Sequence, residues 1–245
     1  MTADLESCIR EFGLDEHRGY LLDVARPSIA ILTTQDPVPP GCSKFGGSPD
    51  LPAGFEWPHH ALGPYRFIGQ INLSDIPSGP HGLPDRGLLS FFYAHDEHGE
   101  SFWGDPDYVR AYRFPDAGAL GTVEPPAAVR LGSTAVLAFQ LGADVPPWPW
   151  DDVPLAVWPI DASLHEAYDE FRSRLHPTRR YLLGYPYNTT LAYDPTPGPE
   201  WRSLLTLSSD DALEWYWHDG DWLVTFIEAH RLRAGDFSQI NADAG

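Results

Sequence analysis

The chain has 245 residues, 42% apolar and 13% aromatic, which is enough to bury a core and too aromatic for the disordered class. Its 16 Lys plus Arg stand against 35 Asp plus Glu, and the net charge of -19 repels phosphate backbones and anionic lipid headgroups. Nucleic acid and membrane surfaces are thereby set aside, and a basic protein, a cation or a neutral small molecule remains. With Pro 25 and Gly 22, the composition favours short strands and ordered loops over a helical bundle. The acidic opening Met1-Thr2-Ala3-Asp4-Leu5-Glu6 fits neither a signal nor a transit peptide, and no segment has the length of a membrane span. Cys8 and Cys42 cannot build a disulfide framework, so the expected location is a reducing compartment, the cytoplasm.

Leu5, Ile9 and Phe12, then Leu21, Leu22 and Val24, predict two short amphipathic helices broken near Gly13. Ser28 to Thr33 reads as a first strand, and 37–58 as a long loop punctuated by Pro and Gly. Strands are expected at Tyr65 to Leu73, Leu88 to Tyr93, Tyr108 to Phe114 and Ala135 to Leu141. The segment 144–160, rich in Pro and Trp, reads as the connection between two halves at about 28–143 and 161–240. Asp161 is placed to cap a helix whose one face carries Leu164, Tyr168, Phe171 and Leu175. Arg202 to Leu207, Leu213 to Trp217 and Trp222 to Ile227 follow as strands, the last two joined at Asp219-Gly220 as a tight hairpin. A short helix from Glu228 to Ala234 ends at Gly235.

The halves echo each other. Gly47-Ser48-Pro49 answers to Gly184-Tyr185-Pro186, Gln70-Ile71-Asn72-Leu73 to Thr206-Leu207-Ser208-Ser209, and Leu88 to Phe92 answers to Leu223 to Ile227, at offsets of 135 to 137 residues. Duplication of one unit explains the order; coincidence among short apolar strings is the alternative. Ser43-Lys44-Phe45-Gly46-Gly47-Ser48-Pro49, Trp57-Pro58, Phe67-x-x-Gln70-Ile71-Asn72, Gly87-Leu88-Leu89-x-Phe91-Phe92, Gly184-Tyr185-Pro186 and Asp236-Phe237-Ser238 together resemble the bacterial YwqG-like family. The resemblance covers about 40–240 and implies an α+β, β-rich fold in a single domain. That fold would hold two related antiparallel or mixed sheet units and a few peripheral helices. The chain departs from the family pattern at Thr206, where Gln is usual, so a symmetric polar site would be half present.

Cys42 with His59 and His60 could form a thiol-imidazole pair, but no catalytic signature surrounds it, and a structural cysteine is the plainer reading. Ser43-Lys44-Phe45-Gly46-Gly47 lacks phosphate-loop order. His95-Asp96-Glu97-His98 reads as a solvated turn before it reads as a metal site. Asp210, Asp219 and Asp221 gather a hard cation only if the strand between them is very short; turn chemistry is the competing role. Lys44, Gln70, Asn72 and Asp219 sit in apolar or glycine-rich motifs and either pin loops or, with Trp57, line a ligand or partner site. Trp148, Trp150 and Trp158 either staple loops or stack on sugars or a peptide, with at least one of Trp148 and Trp150 expected to be exposed. No catalytic residue and no cofactor is expected. The leading expectation is a non-enzymatic, immunity-like or chaperone-like binding protein whose acidic surface meets a basic protein. The alternative is an enzyme or carbohydrate-type small-molecule binder with an aromatic and polar cleft between the halves.

Overall fold

The structure, a computed structural model, describes residues 2–34, 36–96, 98–99, 101–149, 158–187, 190–191 and 193–245. Helices α1 (Thr2–Glu11) and α2 (Arg18–Val24) part at Gly13, as the hydrophobic spacing predicts. Then come β1 (Arg26–Thr34), β2 (Lys44–Phe45), β3 (Asp50–Pro52), β4 (His59–His60), β5 (Gly63–Pro64), β6 (Arg66–Asn72), β7 (Leu88–Tyr93), β8 (Val109–Phe114), β9 (Leu120–Thr122) and β10 (Ala135–Asp144). Helix α3 (His165–Leu175) is followed by β11 (Arg180–Leu183), β12 (Trp201–Ser208), β13 (Trp222–Glu228), α4 (Ala229–Ala234) and β14 (Asn241–Ala244).

Ten of these strands form one antiparallel sheet, ordered β14-β13-β12-β11-β1-β10-β2-β6-β7-β8. Two separate sheet units are therefore not what forms; the sheet is continuous through its centre. There β1 and β10 pair from Arg26↔Asp144 to Thr34↔Val136. The outer edge of β1 carries β11, and the outer edge of β10 carries β2. Strand β1 thus heads the arm of β11, β12, β13 and β14, and β10 heads the arm of β2, β6, β7 and β8. The arms match in detail beyond strand order. Register shifts fall at Phe67/Gly69 in β6 and at Ser203/Leu205 in β12. Left-handed backbone occurs at Gly46 and Gly47 in one arm and at Leu183 and Gly184 in the other. Gly47 N donates to Gly132 O, before β10, and Gly184 N donates to Pro27 O at the start of β1.

Two cores result. The larger fills the sheet's concave side with Phe45, Ile71, Phe92, Leu205, Trp217 and their neighbours. The sheet curls enough that Arg113 on edge strand β8 donates to Gly235 O, just before the opposite edge strand. The smaller core packs Leu5, Ile9 and Leu21 of α1 and α2 against Tyr168 and Phe171 of α3 and against Val145, Trp158 and Ile160. Burying each such large side chain contributes about 1.5–3 kcal/mol, which is what holds helices of this length onto the sheet.

Leu213 to Trp217 is not a strand. A turn of 3-10 helix covers Asp211–Leu213, Glu214 is left-handed, and one bridge joins Asp210 to Trp215. Leu213, Trp215 and Trp217 are buried in alternation, which imitates a strand's period while the backbone follows an Asp210-capped turn. Strand β13 pairs with β12 and β14 instead. Strands β11 and β14 carried no strand signal in the sequence reading, and β2 and β3 lie inside the expected loop 37–58.

Gly184 connects this frame to the site below. A Cβ there would lie 2.8 Å from Asp144 Oδ2, whereas one at Gly13 meets nothing within 4 Å, and both glycines have φ of +69°. Gly13→Ala should cost about 1 kcal/mol for its backbone alone. Gly184→Ala should cost about 3 kcal/mol, because a steric clash adds to the same backbone term. Chemical denaturation of the two variants checks this, and equal losses would contradict it.

Candidate functional site

The polar residues of the first motif converge on one buried carboxylate. Asp50 Oδ2 accepts from Lys44 Nζ at 3.0 Å, Gln70 Nε2 at 2.6 Å and Gly41 N at 3.0 Å, while Oδ1 accepts from Thr122 Oγ1 at 2.8 Å. Gln70 Oε1 in turn accepts from Asp50 N, and Asn72 donates to Gly41 O. Lys44 is 4% exposed and Gln70 0%. Burial pushes the Asp50 carboxyl up, but the Lys44 ammonium and the Gln70 amide outweigh it and hold it below the ordinary carboxylate range. Lys44, Gln70 and Asn72 therefore pin the loop between β2 and β3. Cys42 lies beside them, and burial pushes its thiol up, the direction opposite to an activated nucleophile.

Trp57 is half-buried, donates to Tyr65 O and sets its ring edge-on to Phe92. Asp219 projects from its turn with 91% of its side chain exposed. Asp210 pairs with Arg180 and caps the 3-10 turn, and Asp221 accepts from Thr190. Among the described residues no group of three or more His, Cys, Asp or Glu is placed to hold a metal ion. Of the turn His95-Asp96-Glu97-His98, Glu97 lies outside the described residues, as does Trp150.

A second buried carboxylate organises the other arm. Asp144 Oδ1 accepts from Val145 N at 2.8 Å and lies 2.8 Å from His176 Nε2 and 3.4 Å from Arg172 Nε; its Oδ2 accepts from Tyr185 N at 2.7 Å. Burial raises this carboxyl, yet the Arg172 guanidinium and the His176 hydrogen bond outweigh it and hold it low. Arg172 also donates to Val145 O and Pro186 O, Tyr168 OH to Pro146 O, and Tyr185 OH to Val24 O. The end of β10, helix α3, the Gly184-Tyr185-Pro186 turn and the end of α2 are thereby locked together.

That frame holds Trp148 upright between two clefts. Its ring contacts Trp158 at 5.2 Å, His165 at 4.4 Å and Tyr168 at 5.6 Å, so it is half-buried rather than exposed. On one side lies a cleft of about 650 Å³, walled by Tyr20, Trp148, Trp158, Tyr185 and Trp201, with Arg26 and Arg202 reaching in. On the other lies one of about 520 Å³, with His176, Arg179, Tyr187 and Trp222. Arg26 lies 4.0 Å above the Tyr185 ring. Neither cleft is lined by Lys44, Trp57, Gln70, Asn72 or Asp219. The Pro and Trp content of 144–160 signalled Trp148 and Trp158, and the Gly184-Tyr185-Pro186 motif signalled Tyr185. Nothing in the sequence pointed to Arg26, Trp201 or Arg202.

The family described as "Domain of unknown function (DUF1963)" matches residues 43–243, in agreement with the YwqG-like resemblance. No curated protein matches the chain. Among the described residues no helix is long and apolar enough to cross a membrane.

Asp144→Asn strands the buried Arg172 charge and should cost about 3–5 kcal/mol at pH 7. Because the folded carboxyl is depressed, its contribution is complete above the unfolded value of about 3.9 and is lost as pH falls below it. Denaturation midpoints of wild type and variant should therefore start to converge only as pH falls below about 4. A gap that does not change with pH would contradict this assignment.

Proposed function

We propose that this chain, which belongs to the DUF1963 family, is a non-enzymatic binding protein that holds a small molecule in the larger cleft beside Trp148. One observation carries the reading: five aromatic side chains face a concave space of about 650 Å³ on a frame fixed by the buried Asp144 network. Ligand sites in proteins are typically concave, predominantly apolar and preformed, and this cleft meets those conditions. The Asp50 cluster, in contrast, is spent on pinning a loop. We read the two arms as copies of one unit, with the ligand site kept on one arm. The matching register shifts and left-handed turns support that reading.

A second reading, a basic protein partner drawn to the acidic surface, is favoured by the net charge of -19. The two differ in their response to salt and in the residues they need. A protein partner held by surface charge is released as salt rises, while ligand held by aromatic walls depends on Trp148.

A panel of neutral sugars, amines and aromatic acids at millimolar concentration, followed by thermal unfolding, tests the cleft. At a ligand excess of about 100 Kd, binding adds about 2.7 kcal/mol, which moves the midpoint by several degrees. At least one compound should do so with wild type and fail with Trp148→Leu. A panel in which no charge class stabilises the protein, or in which Trp148→Leu responds equally, would count against the proposal.

A further inference from the structure

The larger cleft contains a charge that the described residues leave without a bonded partner. Arg26 is half-buried, with its guanidinium face on the Tyr185 ring, yet its side chain makes no hydrogen bond or ion pair with any described group. Burial lowers its pKa and the neighbouring Arg202 pushes the same way, while Tyr185 and the carboxylates of Asp144 and Asp194 push it up. Arg202 donates to the Pro199 and Trp201 carbonyls, which fixes its position on the cleft wall without neutralising it. The carboxylate lining the cleft belongs to Asp194, which is exposed and accepts from Thr196 N.

A half-buried cation without a bonded partner is unfavourable unless something supplies a negative charge. That Arg26 and Arg202 share one aromatic-walled space in a chain of net charge -19 sets the cleft apart from the surrounding surface. Tyr20, Trp148 and Trp201 offer ring faces and edges to a flat apolar body, and Arg26 and Arg202 offer N–H groups to an anionic head.

Resting on the small-molecule reading above, we propose that the larger cleft selects a planar aromatic anion, its carboxylate or phosphate held between Arg26 and Arg202 and its ring against Trp148. The negative surface then slows the entry of anions in general, and the local arginines discriminate in favour of those with a ring to stack.

The test uses the full chain and three naphthalene probes: 2-naphthoate, 2-naphthyl phosphate and uncharged 2-naphthamide, titrated by calorimetry. Losing a charge-assisted contact should weaken binding about tenfold or more, so the amide should trail the better anion by at least that factor. The ranking of the two anions identifies the head group. Arg26→Gln and Arg202→Gln should each reduce anion affinity by a similar factor while leaving amide binding unchanged. Thermal unfolding of each variant verifies its fold. In nitrogen-edited NMR, the indole resonance assigned through Trp148→Phe should shift on adding the anion. Equal affinity for amide and anions, or unchanged anion affinity in both arginine variants, would overturn the charge selection while sparing a neutral small-molecule site. No binding of any of the three probes would overturn the planar-anion inference, and the wider panel judges the small-molecule reading separately.

Discussion

The architecture depends on a carboxylate that has left water. Asp144 ends the central strand β10 and faces a guanidinium, an imidazole and two backbone N–H groups, none of which belongs to its own strand's ladder. An ionised carboxylate in such a place is stable only when charge and hydrogen bonds compensate its lost hydration, and here the Arg172 guanidinium and the Val145 and Tyr185 N–H groups do so. In return, one group fixes where β10 stops, how α3 lies, and the path of the Gly184-Tyr185-Pro186 turn. Asp50 does the same for the β2–β3 loop through Lys44, Gln70 and Thr122. The two networks explain how a chain so rich in proline and glycine holds long irregular segments in place: its loops are tied to buried charge as well as to apolar surface.

The crossing of β1 to β11 brings the cleft into being. If β1 paired with β2, its neighbour in sequence, Arg26 would sit on the other arm. Because β1 crosses to β11, Arg26 stands over Tyr185 and near Arg202 of β12, and the Trp148 segment closes the wall from the end of β10. The cleft therefore joins residues more than a hundred positions apart in sequence, each held by a different element of the sheet's centre. An acidic chain with few cations has brought two arginines together there, and the Arg26 side chain has no hydrogen-bonded or ion-paired anion among the described residues.

The long elements were legible because their signals are local. The helical spacing of Leu5, Ile9 and Leu21, the apolar run Leu88 to Tyr93 and the cap at Asp161 translate directly into α1, α2, β7 and the 3-10 turn leading into α3. The four-residue strands Arg180–Leu183 and Asn241–Ala244 were not legible, since they exist through pairing rather than through their own pattern. Alternating burial at Leu213, Trp215 and Trp217 misled in the opposite direction, because side chains anchoring an irregular turn can imitate a strand's period. At the site, Lys44, Gln70 and Asn72 stood out as polar residues in apolar motifs, and the loop-pinning role weighed for them is the one their hydrogen bonds display. Trp148 and Trp158 stood out by composition. Arg26 and Arg202 had no distinguishing neighbours, and only the crossing of β1 to β11, which no local pattern encodes, makes them a pair.

A crystal of the full chain soaked with 2-naphthoate addresses the central claim most directly. Density is expected for the naphthalene ring against Trp148, with the carboxylate between Arg26 and Arg202. Density outside this cleft, or none at a concentration that saturates the protein in solution, would contradict the assignment.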